Sequence, residues 1–444
     1  MLKASDPDKI VTDLFRAYFD ARKNKRSTLN ALAFEMHFEA NIFELAEEIN
    51  ANRYVIKPSI CFIVNKPVKR EIFAADFRDR IVHHLIYNYI SPIFENAFIN
   101  DSYSCRVGKG THYGISRVDH FIRSCSQNYR KETYVLKLDI RGYFMAMDKT
   151  LLFDKITAEL DRQKQKIIFD LPLVLHLIEK TILNDPRQNC VMKGRPGDRV
   201  GLPATKTLFH AAPNCGLPIG NLTSQLFGNI YMNEFDHFVK RDLGIACYGR
   251  YVDDIVLVHN DKEYLKSIIP RISDYLKAEL KLTLHPDKIY LQDIKKGIKY
   301  LGAVIKPHRK YIANRTKGNF YGSIAKHNKV VRDHKPSQEE QNAFLRSTNS
   351  YLGIMKHYRT FRHRKKMMFE NISGWWWNYF CIAGYNKLVF RTRKVKAGNF
   401  KQRKGNAEDA PRREENRIAQ TAYKQSMLGS LWLKPNYGEL KKAV

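Results

Sequence analysis

The sequence contains no run of about 18 apolar residues, the length a membrane-crossing helix needs. Its start, MLKASDPDKIVTDL, lacks the apolar core of a signal peptide. A soluble, cytoplasmic protein is therefore expected. Cysteine is sparse: seven residues, at 61, 105, 125, 190, 215, 247 and 381, none in C-x-x-C spacing. That argues against a disulfide framework or a cysteine zinc site and for reduced thiols inside a cell. Acidic residues are also in short supply, with 45 Asp+Glu against 76 Lys+Arg and a formal net charge of +31. Such an excess is costly in self-repulsion unless a polyanion neutralises it, nucleic acid first and an anionic membrane second. There is no internal repeat. What is present is a large apolar fraction, 44%, with 12% aromatics over 444 residues, enough for two or three packed lobes.

Residues 5–50 read as helices, the first with Ser5 or Asp6 as cap, Pro7 in its first turn, and Ile10, Leu14, Phe15 and Tyr18 at helical spacing. Residues 54–77 are β-rich and studded with Lys and Arg; the next stretch returns to helix and is expected to break at Pro92. From about 131 to 310 strands alternate with helices. TYVLKLDI, 133–140, is a strand with Tyr134, Leu136 and Leu138 on one face and Val135, Lys137 and Asp139 on the other. NLTSQLFGNIYMNEFDHFVKRDL reads as one helix with Leu222, Leu226, Ile230 and Phe235 on a stripe, and ACYGRYVDDIVLVH reads as a hairpin. Residues 184–206 carry three Gly and three Pro and read as a loop insertion. Beyond about 315 the chain is helical, basic and aromatic; beyond about 391 it is a charged linker or arm. The run WWWNYF, 375–380, fits core packing better than a base-stacking platform, and His83 and His84 read as structural or phosphate-facing.

Asp253 and Asp254 interrupt an otherwise apolar hairpin, and like charges side by side repel unless cations bind them. Asp139 ends a separate apolar strand just before a turn through Gly142. Acids at the ends of adjacent strands can converge on hard cations, and two such ions can clamp an in-line phosphoryl displacement. In so basic a chain this pattern points to nucleotidyl transfer.

YVDD, 251–254, resembles the Tyr-x-Asp-Asp box of reverse transcriptases, and LKLDIRGYF resembles their first metal-binding motif. GLPIGNLTSQLFGNIYMNEFD is similar to the helix-opening motif between them. KREIFAADFRDRIV and SYSCRVGKGTHYGI resemble fingers segments of group II intron-like enzymes, while LTLHPDKIYL and KYLGAVI resemble the motifs after the catalytic box. LPIGNLTSQ, with Ile219 where most reverse transcriptases have Gln, is similar to the enzymes of diversity-generating retroelements. The resemblance covers roughly residues 50 to 360.

The resemblance implies an α+β right-hand polymerase, with an antiparallel palm sheet carrying the YVDD hairpin, a helical thumb and a basic C-terminal extension. Its lobes would be fingers at 1–130, palm at 131–310, thumb at 311–390 and extension at 391–444. It further implies an RNA-directed DNA polymerase that copies a template-repeat RNA into cDNA mutated at adenines. An antiphage or abortive-infection enzyme, or a group II intron-like one, is the alternative. Asp139, Asp253 and Asp254 would be catalytic and, with the Ile140 carbonyl, would hold two Mg²⁺, or Mn²⁺ in their place. Lys69, Arg70, Phe144, Ile219, Gly220, Gln225 and Lys288 would serve the incoming dNTP. Arg80, Arg106, Tyr251, Tyr300, Leu301 and Gly302 would serve primer and template. The implied partners are the template RNA, the RNA/cDNA duplex and a small basic accessory variability protein, with no membrane, in a prokaryotic cell or encoded by a phage. No endonuclease, protease or RNase H region is expected, since there is no H-N-H pattern.

Overall fold

The computed structural model describes residues 7–23, 28–65, 68–384 and 386–391. The expected caps Ser5 and Asp6 lie outside the described residues, as does nearly all of the C-terminal extension. The chain forms two compact units, one through Leu301 and the other from Gly302.

The strands of the first unit that place the site are β1 (Ser59–Val64), β2 (Arg70–Ala74), β3 (Tyr134–Asp139), β4 (Cys190–Met192), β5 (Tyr248–Tyr251), β6 (Asp254–His259) and β7 (Tyr290–Asp293). Four of them make an antiparallel sheet in the order β5-β6-β3-β7. β3 and β6 pair along their whole length, from Tyr134 opposite His259 to Asp139 opposite Asp254. Because side chains alternate across a strand, this register gives the sheet two characters. Leu136, Leu138, Ile255 and Leu257 join one large core with Phe235, Val239 and the buried stripe Leu265, Ile268, Ile272 and Leu276 of helix Lys262–Leu280. Lys137, Asp139 and Asp254 lie on the opposite face. Asp261 caps that helix by accepting from the Glu263 and Tyr264 amides.

β1 and β2 form an antiparallel pair to which the short β4 adds in parallel. The 184–206 stretch is thus not a bare loop: it contributes β4, which pairs with β1, and two 3₁₀ turns. Two further expectations are corrected. Helix Phe77–Ala97 runs unbroken through Pro92. A proline there loses one backbone bond, but Ile90, Ser91 and Phe94 around it are buried, and their packing outweighs that loss. The expected single helix after Asn221 is instead two, Leu222–Tyr231 and Asn233–Arg241, joined at Met232.

The second unit opens with a hairpin, Ala303–Lys306 against Arg309–Ile312, turning at Pro307 and His308 as expected. Helices Asn314–Asp333, Gln338–Met355 and Phe361–Lys366 follow, the second entered through a Ser337/Glu340 capping box. The three tryptophans separate: Trp376 stacks face to face on Phe344 at 4.1 Å inside the core, while Trp375 is 65% exposed. No described helix is long and apolar enough to cross a membrane.

Candidate active site

The β5–β6 hairpin closes through a two-residue loop, Val252–Asp253, since Tyr251 pairs directly with Asp254. Val252 takes φ 57°. Left-handed backbone is a genuine outlier for a β-branched side chain, and such strain persists only where the surroundings enforce it. The enforcing group is Arg250. Its Nη1 donates to the Val252 carbonyl at 3.0 Å. The same guanidinium, fully buried, grips the equally buried Asp236 through Nε at 2.8 Å and Nη2 at 2.7 Å, and reaches Ser102 Oγ at 3.3 Å. The Tyr248 hydroxyl also donates to Asp236. A two-pronged buried ion pair therefore fixes the loop that carries Asp253.

Asp139 and Asp254 both lie close enough to Asp253 for their charges to act on it. Asp139 stands opposite Asp254 in the β3–β6 register. The Asp253 carboxyl is half-buried, and loss of water around it pushes its pKa up to about 6; Asp139 and then Asp254 add to that, while Arg70 on β2 pulls the other way. Burial likewise raises Asp254; Lys137 opposes the rise, Asp139 adds to it and Lys288 opposes it. Asp139 meets Lys288, whose Nζ lies 2.6 Å from Oδ2. The chain after Asp139 bridges to Leu284 through Arg141 N–H to Thr283 O and His285 N–H to Asp139 O. That pairing leaves the Ile140 carbonyl unused.

Among the described residues, no group of three or more His, Cys, Asp or Glu is gathered as around a metal ion. The donor chemistry nonetheless suits one. The groups are all oxygen, the choice of hard divalent cations, and Asp253 and Asp254 are half-buried, with neighbouring carboxylate charge raising both. Asp139 is paired with the positive charge of Lys288.

The fingers strand β2 borders the nucleotide-motif loop. Phe73 N–H donates to the Ile219 carbonyl at 2.9 Å, and Ala75 N–H to Asn221 Oδ1 at 3.2 Å. Gly220, φ 131°, has no room for a side chain: a Cβ would fall 2.8 Å from Ile72 Cγ2 and from the Phe73 carbonyl oxygen. Gly220→Ala is expected to push this loop off β2 and to cut any polymerase activity by about tenfold or more, with steady-state primer extension as the measurement. Phe144 and Ile219 pack together against buried Cys61, Phe73, Met145 and Leu208. Gln225 is exposed on the following helix.

Lys69, Arg80 and Arg106 are engaged elsewhere. Lys69 Nζ donates to the Val200 carbonyl of the insertion at 2.6 Å. Arg80 Nε donates to the Ala75 carbonyl, and burial lowers its pKa. Arg106 is spent inside the protein, on Glu95 and the Ile99 and Ser102 carbonyls. Tyr251 is half-buried, with Thr111 Oγ1 at 3.5 Å. Tyr300 is buried, its hydroxyl without a hydrogen-bond partner, and burial with Asp254 pushes that phenol well up. Leu301 and Gly302 take φ 46° and 83°.

Sequence reasoning did not single out Lys137, Arg250, Asp236 or Glu71. Lys137 left a signal: it is a lysine in an apolar strand, two residues before Asp139 and on its face. Arg250 and Asp236 left none, because two polar residues 14 apart do not announce a buried pair.

A family profile described as reverse transcriptase (RNA-dependent DNA polymerase) matches residues 64–305, just over half of the chain. Protein YkfC of Escherichia coli (strain K12) is 26% identical over 257 residues, covering 51% of this chain and 60% of that protein. A putative COX1/OXI3 intron 2 protein of Saccharomyces cerevisiae is 22% identical over 302 residues, covering 59% of this chain and 34% of that one. The chain therefore spans less than two thirds of either relative's length. Among solved structures, apo telomerase from Candida tropicalis, truncated from its C-terminal domain, aligns with TM-score 0.42 at 12% identity, over 62% of this chain and 60% of that one.

Proposed function

The chain belongs to the reverse transcriptase (RNA-dependent DNA polymerase) family, and on that premise we propose that it copies a template-repeat RNA into cDNA with errors at adenines, as in a diversity-generating retroelement. One observation carries the error-prone part. The side chain at the variable motif position is Ile219, which lies with Phe144 against an apolar cluster and offers the nascent base pair no hydrogen bond. A site that loses a polar contact discriminates less between substrates that differ in polar groups.

The proposed roles rest on the motifs this chain shares with that family, and parts of the geometry support them. Asp139, Asp253, Asp254 and the Ile140 carbonyl would hold two divalent ions, Mg²⁺ or Mn²⁺, which when bound stabilise charge on the attacking and leaving oxygens. Arg70, close enough to Asp253 to influence its titration, draws the triphosphate to that corner through its planar fork. Phe144 closes the space beside the sugar 2′-carbon and excludes ribonucleotides. Lys288, 2.6 Å from Asp139, can deliver a proton to the departing pyrophosphate. Gly220 and the helix start after Asn221 admit the nucleotide closely, with Lys69 and Gln225 at the edge of that site. Arg80, Arg106, Tyr251 and the Tyr300–Gly302 turn support primer and template, Arg106 and Tyr300 from within the protein. In functional terms we divide the chain into fingers to 130, palm to 310, thumb to 390 and a basic extension, and place it in the cytoplasm with a basic accessory protein as partner.

A group II intron-like enzyme is the second reading, favoured by the 22% identity to the putative yeast intron protein. Deep sequencing of cDNA made by the purified protein on a defined RNA separates the two. The retroelement reading expects substitutions concentrated opposite template adenines and lowered by roughly tenfold in Ile219→Gln. Errors spread evenly over the four template bases would contradict it.

A further inference from the structure

A buried acid stands behind the proposed nucleotide pocket with no part in the chemistry. Glu71, on β2, is 2% exposed. Its Oε2 accepts from the Leu208 amide at 2.8 Å and from the Thr207 hydroxyl at 3.0 Å, both in the segment between helix Leu171–Leu183 and the Ile219 motif. Its Oε1 lies 3.2 Å from Arg199 Nη2 without making a hydrogen bond. Arg199 in turn lies over the Phe209 ring. Leu208 is also held from its carbonyl side, where Arg187 Nη1 donates to Leu208 O at 3.3 Å and to Ala211 O at 3.1 Å. Burying a carboxylate is costly unless its partners are in place, so a chain that keeps one here, 136 and 137 residues from its two hydrogen-bonding partners, gains a fixed position for them.

What is fixed is a packing partner of the pocket wall. Leu208, Cys61, Phe73 and Met145 form the buried cluster on which both Phe144 and Ile219 rest. Space around Leu208 is tight: a Cβ on Gly216 would fall 2.5 Å from its Cδ1. Phe144 and Ile219 are tied by their backbones as well, Phe144 O to Leu217 N–H and Ile219 O to Phe73 N–H. With their backbones held, the cluster beneath their side chains helps set how far those side chains stand out, and Leu208 is one of its four buried members.

We propose that Glu71, acting through Leu208, is a positioning residue for nucleotide selection: the Thr207–Leu208 segment is a buttress that holds Phe144 and Ile219 at a set distance from the sugar and the nascent pair. This rests on the polymerase reading above. Glu71→Gln would keep the shape while removing the charge opposite Arg199 and one of the two equivalent acceptors. Leu208→Val would remove one methylene of the cluster while leaving the polar network intact.

The test is single-nucleotide primer extension by the full chain, wild type, Glu71→Gln and Leu208→Val. The readout is kcat/KM for a matched deoxynucleotide against the matching ribonucleotide and against a mismatched deoxynucleotide. Each ratio comes from one preparation, so a reduced folded fraction does not move it. Both variants are expected to lower both ratios by about five- to tenfold, with less change for the matched deoxynucleotide alone. Leu208→Val decides the matter if Glu71→Gln does not fold. Ratios equal to wild type in the folded variants overturn the buttress and leave the polymerase reading standing. No extension by wild type overturns that reading itself.

Discussion

Asp253→Asn is expected to move stability and activity in opposite directions. In the folded protein the Asp253 carboxyl titrates near 6, against about 3.9 in an unfolded chain. A carboxyl raised in this way binds its proton more tightly folded than unfolded. Its stabilising effect is complete below about pH 4 and is lost as the pH rises through about 6. At neutral pH the metal-free protein carries the ionised, half-buried acid at a cost on the order of 3 kcal/mol. Asparagine removes that cost, so the variant should melt several degrees higher at pH 7.5 without divalent ions, and its melting temperature should vary less between pH 4 and 6. Primer extension should fall by about a thousandfold or more, because an amide cannot supply the anionic ligand that a divalent ion needs. Thermal melts across pH, beside extension assays on the same samples, check both halves. A purely structural acid would give lower stability with proportionately lower activity.

Arg250→Met should have the largest effect on the fold. It leaves Asp236 fully buried without its cation, a loss of about 3–5 kcal/mol by the usual cost of breaking a buried pair. It also removes the donor to the Val252 carbonyl. Adding Asp236→Asn removes the orphaned charge while keeping an acceptor for Tyr248, so most of the stability should return. Activity should not return, because nothing then holds Val252 in its left-handed conformation beneath Asp253. Urea titrations and extension rates for the single and double variants separate the two effects. Recovery of activity along with stability would show that the ion pair supports the core and not the turn.

Much of this corner was legible in the sequence because its signals are local. Strand 133–140 announces itself by alternation, and two acids breaking an apolar hairpin announce the loop. The pairing of Asp139 with Asp254 follows once both strands end in acids and must share a sheet. What could not be read depends on contacts far apart in the chain. Glu71 finds Leu208, and Arg250 finds Asp236 and Ser102, only after folding. Lys69 and Arg106 look like free cations in a basic chain, yet the structure turns them to backbone carbonyls. Pro92 is an example of tertiary packing overruling a local rule.

The most direct test is extension of a DNA primer annealed to an RNA template by the purified full-length chain, with Mg²⁺ titrated in and then removed by chelation, alongside Asp139→Asn. If Asp139 and the Asp253–Asp254 corner form one catalytic centre, deoxynucleotides are added only with the divalent ion present, and the Asp139 variant is as inactive as Asp253→Asn. Extension that survives chelation, or an Asp139 variant that copies the template at the wild-type rate, would contradict a shared centre.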